Sequence, residues 1–319
     1  PTISRRQRQM CIRDSPYVDK ETDPVAYGNY VKLPGVWVLI GGMWIAHFYY
    51  WGTNQYITQR ALGGKSLDEA QKGLMFAGFL KIFMPIVVVL PGLIAVALEG
   101  NAIESLGGDR SKAYPSMLSL LPNGILGLTF AALVAAIVSS LASLTNSLST
   151  IFTMDIYKNY TKVKDTELVN VGRFAGTSGL ILSIIVAPIF LGSLDSAFQY
   201  VQEYMGLFSP VILFVFLSAI FFKKSSSKSV LAGSLVALVV GVIMKLYVAQ
   251  TDQSLIEPFM HQMAISFGIA FLVSFALSDK SDNAKVFKLT YKDFKTSKLF
   301  NYGSITILLI LSGIYGYYW

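Results

Sequence analysis

The sequence predicts an all-α protein that crosses a membrane several times. Hydrophobic residues make up 53% of the 319-residue chain, and charged residues only 14%. Long uncharged runs recur along the chain, which a soluble domain of this size does not need. Lys and Arg are also concentrated on every second loop between these runs, which is typical of a multi-pass membrane protein.

The apolar runs are long enough to cross a bilayer as helices, which takes roughly 17 to 25 residues each. Eight such runs are present, so we expect eight transmembrane helices. The predicted spans are 34–59, 73–98, 124–157, 172–192, 196–222, 229–249, 262–278 and 301–318.

The charge distribution predicts the orientation of the helices. Sixteen Lys and Arg residues fall on one set of loops between the spans, and only Arg110 and Lys112 fall on the opposite set. The positive set is expected to be cytoplasmic. The first helix then runs from outside to inside, and Trp319 lies outside. The net charge of +7 is therefore explained by topology, and the predicted partner is the lipid bilayer, not nucleic acid.

The N-terminal residues 1–15, PTISRRQRQMCIRDS, do not fit this pattern. They are basic, lack helical periodicity and have no apolar centre of the kind found in signal peptides. We interpret them as a non-native sequence scar, followed by an outer segment at 16–33. The single cysteine, Cys11, lies in the scar, so neither redox chemistry nor a thiolate metal site is expected.

The helix predicted over 131–154 concentrates small and hydroxyl residues on part of its surface. Ala136, Ser139, Ser140, Ser143 and Ser147 recur at spacings of three and four, so they share one helical face. Hydroxyls in hydrocarbon need partners. This face either lets a second helix approach closely or offers oxygen ligands to a polar species inside a bundle.

The first span carries an unusual polar segment in its inner half. His47 and an aromatic cluster are followed by Gly52, Thr53, Asn54 and Gln55. Consecutive polar residues at membrane depth indicate a broken helix that lines a cavity. The alternative is an interfacial aromatic belt with the amides at its wet edge.

Two other polar residues lie within predicted spans. Lys81 is some 12 Å inside the second span at about 1.5 Å per residue, where it either snorkels toward the inner surface or serves a site. Pro85 should loosen the helix one turn later. Gln202 is either a cavity hydrogen-bonding group or a helix contact, and a bend is expected at Gly206 and Pro210.

Four strings of residues carry a resemblance to a known family. They are WIAHFYYWGTNQYITQR at 44–60, AIVSSLASLTNS at 136–147, FTMDIYK at 152–158 and AFQYVQEY at 197–204. These strings are long and ungapped, and they resemble the sodium/solute symporter family. The likeness runs from about residue 30 to the C-terminus.

The resemblance implies a LeuT-type fold, which is built from two inverted five-helix repeats with peripheral helices. This chain would be a C-terminal fragment that begins at the sixth core helix. Residues 34–222 would form the second half of the core, and 223–319 three peripheral helices with a Lys-rich inner loop. The missing N-terminal repeat would be its partner, and the cell (inner) membrane its location.

The resemblance also implies roles for individual residues. Sodium, as the co-transported ion, would be held by the backbone carbonyl of Ala136 and by the oxygens of Ser139 and Ser140. The solute-binding residues would be His47, Lys81 and Gln202, with an inner aromatic gate at Tyr50 and Trp51.

The function implied is sodium-coupled symport of a sugar or polyol by alternating access, and not an enzymatic activity. A galactose-carrying member of the family has Asn at the position of His47. Neutral imidazole suits a hydroxyl, whereas a protonated ring favours an anion. Symport of a non-sugar solute, such as an amino acid or carboxylate, therefore stays open, as does a transporter-like membrane sensor.

Overall fold

The computed structural model describes residues 27, 38–39, 41–98, 113–161, 164–191, 197–222, 225–251, 256–278, 290 and 294–318. These residues are helical or lie in turns and connections, and no strand occurs among them. Six helices in this part of the chain are long and apolar enough to cross a membrane. They coincide with the third to eighth predicted spans, so the all-α membrane class is confirmed.

The helices are numbered here in chain order. They are α1 (Gly42–Phe48), α2 (Gln55–Leu62), α3 (Leu67–Lys81), α4 (Met84–Val88), α5 (Leu90–Leu98), α6 (Ala113–Leu118), α7 (Asn123–Thr150), α8 (Asp165–Leu191), α9 (Ala197–Phe221), α10 (Ser227–Gln250), α11 (Phe259–Ala276) and α12 (Lys298–Tyr318). Two π-helical segments are also present, Tyr49–Thr53 after α1 and Ile151–Tyr157 after α7.

The first two predicted spans are interrupted helices instead of continuous ones. In the first, the backbone at Asn54 is extended, with φ −78° and ψ 113°, between the π-helical segment and α2. In the second, turns at Ile82 and Phe83 and at Val89 separate α3, α4 and α5. Pro85 lies in the first turn of α4 and has no N–H to bond the carbonyl of Lys81. The predicted break and the predicted loosening at Pro85 are both confirmed.

The chain divides into two compact units. The first consists of Pro1–Asn54 and Gln199–Phe294. Its core has one cluster around Ile45, Leu213 and Met263 and another around Phe214, Ala237 and Ala270.

Helices α10 and α11 of this first unit pack through small residues. A Cβ at Gly233 would lie 2.4 Å from the carbonyl oxygen of Ala270. Ser229, Ser234, Ser266 and Ser274 are buried, and the hydroxyl of Ser274 donates to that of Ser229 over 3.4 Å. Small residues of this kind let helix backbones approach closely in a membrane.

The second unit consists of Gln55–Phe198 and Lys295–Trp319. Its α7 and α8 pack closely at Gly172, Gly176 and Gly179, where added Cβ atoms would lie 2.2 to 2.9 Å from side-chain atoms of α7. Ser149 Oγ donates to the carbonyl of Gly172 over 2.8 Å. Helices α3 and α12 meet in the same way, because a Cβ at Gly303 would overlap Met75.

Several other expectations concern single segments. A short helix, α6, lies between the second and third predicted spans. Helix α9 runs without interruption through Gly206 and Pro210, and a bend there stays a prediction. The scar at 1–15, the outer segment apart from Tyr27, and most of the Lys-rich loop lie outside the described residues. The domain boundary between 222 and 223 also stays a prediction.

Candidate functional site

The hydroxyl-bearing face of α7 is exposed in the second unit. Ala136, Ser139 and Ser140 lie near the middle of the helix, and all three are exposed. The most apolar stretch of this span has none of its residues buried. Ser147, about two turns after Ser140, is only 6% exposed. The hydroxyls predicted to be ion ligands and the buried hydroxyl therefore have different surroundings on one helix.

The two predicted gate residues lie in the π-helical segment that follows α1. The rings of Tyr50 and Trp51 are in edge-to-face contact, with centroids 5.2 Å apart. Thr53 Oγ1 donates to the carbonyl of Tyr49 over 2.9 Å, and the N–H of Asn54 donates to the same oxygen over 3.0 Å. Single π-helical turns occur frequently at functional sites, and this one ends the first half of a broken helix.

Packing in the first unit fixes which face of α1 is turned outward. A Cβ at Gly42 would overlap the backbone of Met260. Ile45 is buried, and the Trp44 ring lies 5.2 Å from that of Phe267. His47 and Trp51 are exposed and lie four residues apart, so they share the outward face. A predicted solute contact and a predicted gate residue are thus brought together.

Lys81 is the last residue of α3, and its side chain is exposed. It immediately precedes the turn at Ile82 and Phe83, in the second unit. Its backbone carbonyl is the group that Pro85 cannot bond, so both the ammonium and the carbonyl are presented at a helix interruption.

Gln202 is an exposed residue of α9 in the first unit. About three turns further along α9, Leu213 and Phe214 are each 1% exposed and belong to the core of the first unit. Its neighbour Glu203 accepts a hydrogen bond from Lys245 Nζ over 3.1 Å. Gln202 is therefore an exposed amide next to a residue that forms an ion pair.

A polar network between α2 and α7 was missed by the sequence analysis. Gln59 Nε2 donates to the carbonyl of Ser143 over 3.2 Å, and Arg60 Nη2 to the Ser143 hydroxyl over 2.6 Å. Asn146 Nδ2 donates to Gln59 Oε1 over 3.0 Å. The sequence places Ser143 on the small-residue face of its helix, but it records no contact of that helix with Gln59 or Arg60.

Comparison with known proteins identifies the family. A sequence profile described as the Sodium:solute symporter family matches residues 19–273. The chain belongs to the sodium:solute symporter family. The resemblance stated from the four strings is therefore confirmed, and with it a multi-pass membrane protein.

Individual members of the symporter family are similar over much of the chain. A sodium/glucose cotransporter of Vibrio parahaemolyticus is 44% identical over 309 residues, which is 91% of this chain and 56% of that protein. Sodium/glucose cotransporter 4 of Danio rerio is 35% identical over 236 residues, or 69% of this chain and 35% of that protein. Sodium/myo-inositol cotransporter 2 of Mus musculus is 33% identical over 225 residues, which is 66% of this chain and 33% of that protein.

The symporter chain spans about half the length of the bacterial relative it matches and a third of the animal ones. The roles assigned to His47, Lys81, Gln202, Tyr50 and Trp51 therefore stay predictions, as do those of the three sodium-site residues on α7.

Proposed function

We propose that this chain is the C-terminal part of a transporter that couples inward movement of sodium to uptake of a sugar or polyol. Membership of the symporter family carries this proposal. The relatives named above are sodium/glucose and sodium/myo-inositol cotransporters, whose named solutes are rich in hydroxyls. Uptake then occurs by alternating access across the cell (inner) membrane.

Sodium is the co-transported ion and is bound by oxygen atoms on α7. The carbonyl of Ala136 and the hydroxyls of Ser139 and Ser140 are suitable ligands, because hard cations prefer oxygen. The exposure of all three supports this role, since hydroxyls on a membrane helix need polar partners. The remaining ligands come from an N-terminal repeat outside this chain, which also covers this face of α7.

The solute is recognised by hydrogen bonds from three helices. Gln202 offers two donors and an acceptor, neutral His47 offers one of each, and Lys81 offers donors only. This set matches sugar hydroxyls, which both donate and accept. Tyr50 and Trp51 close the inner side of the site, where the aromatic pair ends the first half of the broken helix.

The orientation follows from the charged loops, with Trp319 outside and the Lys-rich loops in the cytoplasm. Sodium binding favours an outward-facing state that binds solute, and rocking of the two repeats then exposes both to the cytoplasm. One sodium ion crossing a potential of about 100 mV supplies roughly 2.3 kcal/mol. That energy corresponds to about 50-fold accumulation of solute.

Uptake by the full-length transporter in proteoliposomes tests the proposal. We expect uptake of labelled glucose or myo-inositol to require a sodium gradient and to fall at least tenfold in Ser140→Ala. Thr129→Val is the matched control, because it changes a hydroxyl of the same helix that bonds the carbonyl of Ile125. Uptake that is indifferent to sodium and to Ser140→Ala would disprove the proposal.

The solute class is tested by competition in the same vesicles. Sugars and polyols should inhibit uptake of the labelled solute, and His47→Asn should change their order of potency. If amino acids or carboxylates compete and sugars do not, the chain transports a non-sugar solute instead.

A further inference from the structure

The contact between α2 and α7 is made by four polar side chains that have no role in the proposed ligand sites. Gln59 and Arg60 lie in the second turn of α2, and Ser143 and Asn146 lie on α7. Gln59 bonds both α7 residues, through the Ser143 carbonyl at 3.2 Å and the Asn146 amide at 3.0 Å. Arg60 Nη2 reaches the Ser143 hydroxyl at 2.6 Å. We call these four residues the α2–α7 latch.

The latch is connected to the proposed ion site through one further hydrogen bond. Ser143 Oγ donates to the backbone carbonyl of Ser139 over 3.0 Å. The guanidinium of Arg60 is therefore two hydrogen bonds away from the carbonyl of a proposed sodium ligand. Any movement of α2 that withdraws Arg60 changes the environment of that turn of α7.

The latch lies on the cytoplasmic side of Ser139 and Ser140 in the proposed orientation. Ser143 and Asn146 follow Ser139 by about 6 Å and 10 Å along the helix at 1.5 Å per residue. The hydrogen bonds from α2 are therefore made on the stretch of α7 between Ser139 and its cytoplasmic end.

The chemistry of the latch suits a contact that forms and breaks. Each bond joins polar groups, which exchange readily with water when the cytoplasmic side becomes hydrated. The hydrogen bond from Arg60 is charge-assisted and short, so it is the strongest and most geometrically specific bond of the latch. The extended backbone at Asn54 interrupts the helix directly before α2.

We propose that Gln59, Arg60 and Asn146 are positioning residues of the transport cycle. The latch holds α2 against α7 while sodium occupies Ser139 and Ser140, and it opens when the ion leaves to the cytoplasm. This inference rests on the proposed function, because it assumes a sodium-coupled cycle. It assigns a role to residues that bind neither ion nor solute.

The first test is a double-mutant cycle on Gln59 and Asn146 in the full-length transporter. We expect Gln59→Ala and Asn146→Ala each to shift the half-saturating sodium concentration at least threefold. The double variant should behave like Gln59→Ala, because that substitution already removes the hydrogen bond to Asn146 together with the one to the Ser143 carbonyl, so Asn146→Ala has nothing further to remove. The KM for solute at saturating sodium should stay within twofold of wild type. Additive shifts, or an unchanged sodium dependence, would overturn the proposal.

The second test links the two helices chemically and does not depend on loss of side chains. In a full-length transporter whose native cysteines are replaced by serine, Gln59→Cys with Asn146→Cys is joined by a short, reducible bifunctional thiol reagent. Linking should proceed faster in sodium than in potassium, and it should abolish uptake until the link is reduced. Linked protein that still transports at the wild-type rate would contradict the latch, and so would a pair that never links.

A matched control uses a contact that is not expected to open. Gln71 Oε1 accepts from the N–H of Ser297 over 3.0 Å, so Gln71→Cys with Ser297→Cys joins α3 to the start of α12. This link should form equally in sodium and potassium. Uptake by the wild-type protein in the same vesicles distinguishes failure of the latch from failure of the proposed function. If the wild type shows no sodium-dependent uptake, the proposed function is refuted; if it does and the variants behave otherwise than expected, only the latch is refuted.

Discussion

Lys245 Nζ lies 3.1 Å from Glu203 Oε2, and together they join α10 to α9 within the first unit. The side chains are 27% and 31% exposed, so the pair is neither fully buried nor freely solvated. The ammonium also lies 4.4 Å from the centroid of the Tyr204 ring. A charged residue inside a membrane span is expected to pair in this way.

Removing one charge of this ion pair should lower the free energy of unfolding more than removing both charges. Lys245→Met removes the ammonium that pairs with the partly buried Glu203 carboxylate, and we expect a loss of about 1–2 kcal/mol in the free energy of unfolding. Lys245→Met with Glu203→Gln should recover at least half of that loss. Unfolding in mixed micelles with increasing SDS measures both changes.

Lys228→Met is a suitable control, since Lys228 is an exposed residue near the start of the same helix. It should change stability by less than about 0.5 kcal/mol. Equal losses in the single and double variants would show that the methylenes of Lys245, and not its charge, stabilise the helix pair.

The close approach of α10 and α11 predicts a severe effect at one glycine. In Gly233→Ala the new Cβ would lie 2.4 Å from the carbonyl oxygen of Ala270, a backbone atom that cannot rotate away. We expect destabilisation of about 2 kcal/mol. Gly268→Ala in α11 is the control, because nothing lies within 4 Å of its Cβ position.

The control should be neutral or slightly stabilising, by up to about 1 kcal/mol, because Ala favours a helix over Gly. Thermal unfolding of both variants in the same detergent gives the comparison. Equal effects of the two substitutions would mean that α10 and α11 do not pack through Gly233.

The interruption between α3 and α4 gives a prediction about backbone protection. Pro85→Ala restores an N–H that can bond the carbonyl of Lys81 and continue the helix. Hydrogen exchange at residues 82–86 should slow by at least tenfold, and transport by the full-length protein should decrease if the interruption serves the site. Unchanged exchange would show that the turn at Ile82 and Phe83 does not depend on the proline.

The features predicted well from the sequence are those set by local composition. Spans such as α9 and α10 are predicted from the length of their apolar runs alone. The interruptions at Asn54 and Pro85 are also predictable, because consecutive polar residues and a missing N–H group weaken a helix locally. The latch was not predicted, because Gln59 meets Ser143 across 84 residues of sequence. Lys245 and Glu203 are likewise 42 residues apart. No periodicity within one helix records such a contact.

The end of α7 and the π-helical segment that follows it present two hydroxyls toward Gly172 of α8. Thr153 is 5% exposed, and its Oγ1 lacks a hydrogen-bond partner among the described residues. Ser149 Oγ, one turn earlier, donates to the carbonyl of Gly172 over 2.8 Å. Thr153→Val keeps the shape and removes the unpaired hydroxyl, so we expect stability to be unchanged or to rise by about 1 kcal/mol. Ser149→Ala should instead lower it by about 1 kcal/mol, because it removes a hydrogen bond. SDS unfolding of the two variants measures the difference, and a loss in Thr153→Val as large as that in Ser149→Ala would show that the Thr153 hydroxyl is bonded in the membrane.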